Sequence, residues 1–203
     1  MRTLIIETAT EACSVALFEV GELVAGAYEI LGRGHAERLV PMIAELPGKG
    51  RAQRIVVSLG PGSFTGVRIG LAAARALGLA WQAQVLGYPT LALVAAMAHE
   101  NDPRPVTVCM TGGHGEWFVQ DFGTDGLPEH ELRSLKPEAA LHDIHYSFAA
   151  GSKARELLQW DGPGMTTLDI LPDARSFPLL PEALLTADLA PLYGRPPDAR
   201  LPA

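Results

Sequence analysis

Apolar and polar positions in the first hundred residues fall into short, well-punctuated blocks. Arg2 to Thr8 carries the unbroken run Leu4-Ile5-Ile6, too continuous for a half-exposed strand, so it predicts one covered on both faces. Ala12 to Glu19 alternates in part, Val20-Gly21-Glu22 makes a tight turn, and Leu23 to Ile30 continues an antiparallel meander. Gly32 and Gly34 end it. His35 to Leu46 places Leu39, Met42, Ile43 and Leu46 on one face of a helix. Pro41 must kink that helix or lie near its first turn, and Pro47-Gly48 stops it. Arg54 to Leu59 predicts a short buried strand. Thr65 to Ala83 predicts a long helix that Ser63 or Thr65 can cap. Val85 to Tyr88 predicts a strand and Thr90 to His99 a helix.

This order predicts a mixed sheet with helices on its faces, the arrangement of a ribonuclease-H-like lobe. His99 to Pro105 is polar and stops helix at Pro103 and Pro105, so a lobe of residues 1–102 is expected, with a smaller lobe over 103–203. The second half is less legible. Val106 to Met110 and Glu116 to Phe122 predict strands around the turn at Gly112-Gly113-His114-Gly115. Tyr146 to Ala150 is a short apolar run, Ser152 to Trp160 predicts a helix, and beyond Asp161 only Pro181 to Ala187 reads as helical. No repeat of fixed period is visible.

Charge and composition narrow the partners. The 203 residues sum to a formal charge of −7, and 48% are hydrophobic, enough for a real core. Residues 1–102 hold 8 basic and 9 acidic side chains, and residues 103–203 hold 8 and 14. With no clustered Lys or Arg, the chain is a poor stand-alone binder of nucleic acid. Cys13 and Cys109 cannot build a disulfide framework. The N-terminus is too short in apolar character for a signal peptide, and Ile69 to Leu79 carries Arg75. A cytoplasmic protein without a membrane span is expected.

The most specific feature is Gly60-Pro-Gly-Ser-Phe-Thr-Gly66-Val-Arg68-Ile-Gly70. A glycine-rich turn before a helix can cradle a phosphate. The Gly-Lys-Ser/Thr ending of a P-loop is missing, however, and the dinucleotide spacing is off by one. Turn formation with close helix packing is the favoured reading. In the helix that follows, Gly66, Gly70, Ala74 and Gly78 make one smooth face, and Arg68, Arg75 and Gln82 form a thin polar stripe. A helix this apolar is either buried on most sides or faces another protein. Glu7, Thr8, Thr10 and Ser14 could lie near a nucleotide, although an ordinary turn explains them as well. His142 and His145 lack an evident third ligand, no two histidines lie four apart, and no Gly-x-Ser-x-Gly elbow is present. No catalytic residues and no metal site are expected.

Three blocks carry a family resemblance: Thr8-Ala-Thr-Glu-Ala-Cys-Ser-Val-Ala-Leu17, His35 with Leu39-Val-Pro-Met-Ile43, and the Gly60–Gly70 run. In order and spacing they resemble the TsaB (YeaZ) family of bacterial tRNA threonylcarbamoyladenosine biosynthesis. Gly115-Glu116 and Ala190-Pro-Leu-Tyr-Gly-Arg195 extend the likeness more sparsely. The resemblance implies two ribonuclease-H-like lobes of the actin, sugar-kinase and Hsp70 type. It implies a non-catalytic subunit supporting TsaD, which transfers a threonylcarbamoyl group to adenosine in tRNA, with the ATPase TsaE as a further partner. A homodimer through the same surface is also implied. No cofactor is expected on the chain alone, ATP or ADP at the complex interface being the exception, and tRNA is met only through the complex.

The helices at 35–46 and 65–83 would form the pairing surface, with Leu39, Met42, Ile43, Val67, Arg68, Gly70, Leu71, Ala74, Arg75 and Gly78 as its residues. Leu71→Glu or Ala74→Glu would then abolish pairing. Three departures stand out. Glu7 replaces the usual Asp, Thr111-Gly112-Gly113 stands where the family has Asp-Ala-Arg, and the connection from Leu46 to Arg54 is short for the family. The alternative reading is an ATP-dependent phosphotransferase of the same fold. A metallopeptidase would need ligands that the chain lacks.

Overall fold

A computed structural model describes residues 1–158 and 164–194. The meander forms β1 (Arg2–Glu7), β2 (Ala12–Glu19) and β3 (Glu22–Ile30), all antiparallel. Then come α1 (His35–Glu45), β4 (Arg54–Ser58), α2 (Phe64–Trp81), β5 (Gln84–Tyr88) and α3 (Thr90–Asn101). The sheet order is β3-β2-β1-β4-β5, with β4 parallel to β1 and β5 parallel to β4. The second half supplies β6 (Val106–Thr111), β7 (Trp117–Phe122), β8 (Arg133–Leu135), α4 (Pro137–Leu141), β9 (Phe148–Ala150), α5 (Ala154–Leu157) and β10 (Thr166–Leu168).

From β8, the second sheet runs β8-β7-β6-β9-β10, with two antiparallel pairings and then two parallel ones. That is the order and sense of the first sheet. The chain therefore repeats one topology that its sequence does not show, and two such lobes make the actin-like arrangement.

The faces explain the apolar runs. Side chains alternate across a strand. Leu4 and Ile6 join the cluster of Leu39, Met42, Ile43, Val57 and Leu71 under α1 and α2. Ile5 points the other way, into the cluster shared by Val56, α3 and the second sheet. α3 is buried along most of its length because it lies between the sheets, which accounts for its lack of a polar face. The far side of the second sheet packs Cys109, Trp117 and Val119 against Ala140 of α4 and Leu157 of α5. Among the described residues no helix is long and apolar enough to cross a membrane.

Ser63 caps α2, its hydroxyl accepting from the Gly66 N–H at 3.2 Å. Pro41 lies inside α1, on its exposed side, not in the first turn. The helix expected over 181–187 is absent. Glu182–Leu184 makes only a single 3₁₀ turn, and Thr186 then pairs with Gly87 through hydrogen bonds of 2.8 and 3.0 Å. The helix expected from Ser152 is confined to α5, and its reach to Trp160 falls outside the described residues.

Residues 172–192 cross back to the first sheet. The Ala174 N–H donates to Ser14 Oγ at 2.9 Å, Phe177 packs near Phe18 and Tyr88, and the Leu192 N–H donates to the Leu59 carbonyl at 2.8 Å.

The glycines of α2 set its height above the sheet. A Cβ on Gly66 would lie 2.1 Å from the Thr8 carbonyl oxygen, and one on Gly70 would lie 2.4 Å from Thr8 Oγ1. Gly66→Ala should therefore lower stability by roughly 1–3 kcal/mol through overpacking. Gly113→Ala, with nothing within 4 Å of its Cβ, should stay within about 0.5 kcal/mol of wild type. Urea midpoints of the two variants check this pair.

Candidate functional site

A cavity of about 840 Å³ lies between the two sheets. The Ala9-Thr10-Glu11 turn and the Pro61–Phe64 loop form one wall. Met110 to His114 with Phe118 form the opposite wall, and Leu192 to Gly194 closes an end. The volume suits a small-molecule site. Its mouth is built from residues far apart in sequence. The Arg68 guanidinium carbon stacks 3.5 Å from the Phe64 ring centroid, and Arg68 Nη2 donates to Tyr193 Oη at 3.3 Å. The Phe64 and Tyr193 rings are 5.6 Å apart.

The Gly60–Gly66 run is not shaped as a phosphate cradle. Its Ser63 N–H donates to the Ala9 carbonyl at 2.6 Å, and a Cβ on Gly62 would sit 2.0 Å from that same oxygen. The glycines let this loop press on the β1–β2 turn, so close packing accounts for them.

Glu7, at the end of β1, is completely buried. One carboxyl oxygen accepts from the Ala9 N–H at 2.7 Å and the other from Tyr88 Oη at 2.8 Å. Burial outweighs these hydrogen bonds and pushes its pKa up to about 7. Thr8 Oγ1 donates to the Gly66 carbonyl at 2.8 Å, and Ser14 Oγ is taken by Ala174. Of these four candidates only Thr10 lines the cavity, and its hydroxyl accepts from the Ala12 N–H at 3.2 Å. The carboxylate among the lining residues is Glu11, so the first strand offers a magnesium–nucleotide little to bind and does not fit one well.

The thiols are equally withdrawn: burial first, then nearby carboxylates, push Cys13 to about 11 and Cys109 to about 12. His35 is buried and donates Nε2 to the Ala12 carbonyl at 3.2 Å.

The expected pairing residues need correction. Leu39, Met42, Ile43, Val67, Gly70, Leu71, Ala74 and Gly78 are all buried within this chain, because the smooth glycine–alanine face of α2 and the apolar face of α1 seat on the first sheet. Arg68 and Arg75 are exposed, but they hold the returning C-terminal segment, Arg75 Nη2 donating to the Leu189 carbonyl at 3.1 Å. What faces outward is a different set: Val40 and Ala44 on α1, and Ala72, Ala76, Leu79 and Ala80 on α2. Val40 is 58% exposed and Leu79 85%. α1 and α2 pack against each other on the same face of the first sheet. Sequence reasoning took faces of these helices that are buried within the chain for exposed ones. It also missed Phe64, Met110, Phe118 and Tyr193 in the cavity.

The family model described as "TsaD: tRNA N6-adenosine threonylcarbamoyltransferase" matches residues 29–135. The tRNA threonylcarbamoyladenosine biosynthesis protein TsaB of Haemophilus influenzae is 37% identical, over 92% of this chain and 84% of that protein. The chain belongs to the TsaB family. The Escherichia coli TsaB is also 37% identical, over 68% of this chain and 64% of its own length. The solved structure of YeaZ from Pseudomonas aeruginosa superposes with a TM-score of 0.75 at 28% identity, covering 88% of this chain and 89% of that one. TsaB membership and the shared fold agree with the two-lobe topology found here.

Glu7 predicts a pH dependence. Its folded pKa, raised from 4.5 to about 7, favours the protonated folded state. The stabilisation is therefore complete below pH 4.5 and is lost as pH rises through about 7. Relative to Glu7→Gln, the wild type should lose on the order of 3 kcal/mol across that window, measured by urea unfolding at successive pH values.

Proposed function

We propose that this TsaB-family chain serves tRNA threonylcarbamoyladenosine biosynthesis as a non-catalytic subunit. It holds a TsaD-type transferase through the outward faces of α1 and α2. The observation that carries the reading is the row of exposed apolar side chains, Val40, Ala72, Ala76 and Leu79, on two helices whose inner faces are already filled. Apolar surface grouped on neighbouring helices favours a protein partner. Two helices laid against a matching pair bury roughly 1,200–2,000 Å² in total, the size of a standard specific interface.

The chemistry of the chain supports the same reading. The Glu7 carboxyl is sealed against Tyr88, and both thiols are buried. No two histidines stand four apart, so the His-x-x-x-His pattern of a TsaD-type catalytic subunit is missing. A TsaE-type ATPase is the further partner of the assembly. With its net charge of −7, the chain leaves contact with tRNA phosphates to its partners.

Leu79→Glu and Val40→Glu place a charge on the outward face. They should abolish co-purification with the TsaD-type subunit while leaving the unfolding free energy of the isolated chain, read by urea denaturation, within about 0.5 kcal/mol of wild type. Leu71→Glu buries a charge in the chain's own core and should unfold it whether or not a partner is present. Undiminished pairing by the Leu79→Glu variant would sink the assignment. Micromolar binding of magnesium-ATP by the isolated chain, read by titration calorimetry, would favour the phosphotransferase alternative.

A further inference from the structure

On β7, Asp121 is completely buried, opposite Thr107 of β6 in the strand register. A carboxylate in that position must be fully partnered. Thr107 Oγ1 donates to Oδ1 at 2.6 Å. The other oxygen, Oδ2, gathers three groups: Arg133 Nη2 at 2.9 Å, His145 Nδ1 at 2.7 Å and His130 Nδ1 at 3.4 Å. His130 comes from the β7–β8 connection and His145 from the connection before β9. Their rings are stacked, with centroids 4.8 Å apart and planes 22° from parallel. The side chains are 48% and 44% exposed. Two imidazoles from separate loops thus aim the same ring nitrogen at one buried oxygen, from the solvent side.

We propose that Asp121, His130 and His145 form a binding site for one divalent transition-metal ion of the zinc class. The three ligand atoms lie within 4.8 Å of one another. Ligand atoms on a tetrahedral zinc ion are about 3.3 Å apart, given bonds of about 2.0–2.1 Å. The 3.4 Å separation already suits this, and the 2.7 Å one needs only to open slightly.

Each imidazole binds in its neutral form, giving the Nδ1 lone pair to the ion and keeping its proton on Nε2. Imidazole with carboxylate selects zinc, copper, nickel or cobalt over magnesium and calcium. Outer contacts needed to orient the ligands are present as well: Thr107 fixes the carboxylate through its other oxygen, and Arg133 donates to it from the protein side.

Arg133 is the opposing charge. Its Nη1 also pairs with Asp143 Oδ2 at 2.5 Å, so a second carboxylate offsets the added positive charge. Three protein ligands leave a position open to water. The ion would tie the β7–β8 connection to the loop before β9 at the edge of the second sheet. This site is separate from the inter-sheet cavity and from the outer face of α1 and α2.

The test uses the full-length, tag-free chain dialysed against Zn²⁺, with Co²⁺ as the spectroscopic probe. The expected result is one ion per chain, a visible Co²⁺ absorption of four- or five-coordinate type, and an upward shift of Tm with Zn²⁺. His130→Ala and His145→Ala, both at exposed positions, should each weaken binding by roughly tenfold or more and abolish the Tm shift. His142→Ala, outside the cluster, should leave both unchanged. Absence of stoichiometric binding, or binding retained by the His130→Ala/His145→Ala double variant, would overturn the proposal. Neither outcome bears on pairing with a TsaD-type subunit.

Discussion

The contact on which the first lobe depends is the approach of the α2 N-terminus to the β1–β2 turn. Thr8 and Ala9 turn their carbonyl oxygens toward Gly66 and Gly62, at distances that leave no room for a Cβ. Thr8 Oγ1 reaches back to the Gly66 carbonyl, and the Ser63 N–H reaches to Ala9. With α2 seated that deep, Leu71 and Ala74 fill the space over β1 and β4, and Gly60 can accept from the Thr90 N–H where α3 begins. The strand end, the glycine loop and two helices are thereby locked as one unit, and the inter-sheet cavity takes its wall from that unit.

The same depth withdraws the end of β1 from solvent. The end of β1 is closed over by the loop and by Tyr88, so the Glu7 carboxyl looks into the core. A buried acid held by a phenol and one backbone N–H is a structural group whose protonation is linked to folding. The thiols share that withdrawal. What the lobe presents to its surroundings is shape and apolar area on α1 and α2. The charge follows the same division, with the acidic excess lying after residue 102 and away from those helices.

The first lobe was legible because each of its elements is long enough to show a period and is bounded by Gly or Pro. Leu4-Ile5-Ile6 announced a strand covered on both faces, and Ser63 announced a cap. The second sheet was only half legible. β8, β9 and β10 are three residues each, too short for alternation to register, and their burial comes from neighbours remote in sequence.

For α2 the period is legible in the sequence, but what its smooth face seats against is not. A row of small residues allows close approach without saying to what, and the chain's own sheet took that face. The cavity was hidden for a related reason. Phe64 and Arg68 meet Tyr193 across more than a hundred residues, and no local pattern encodes that contact. Asp121, His130 and His145 likewise converge only because β6, β7 and the loop before β9 fold side by side.

If the inner faces of α1 and α2 build this chain and their outer faces build a complex, the two helices must gain protection when a partner binds. Hydrogen–deuterium exchange on the chain, alone and mixed with a TsaD-type subunit, separates these two roles. New protection should be confined to residues 35–45 and 64–81, with the cavity loops at 9–11 and 110–116 unchanged. Protection that appears on the cavity loops while the two helices exchange as before would contradict it.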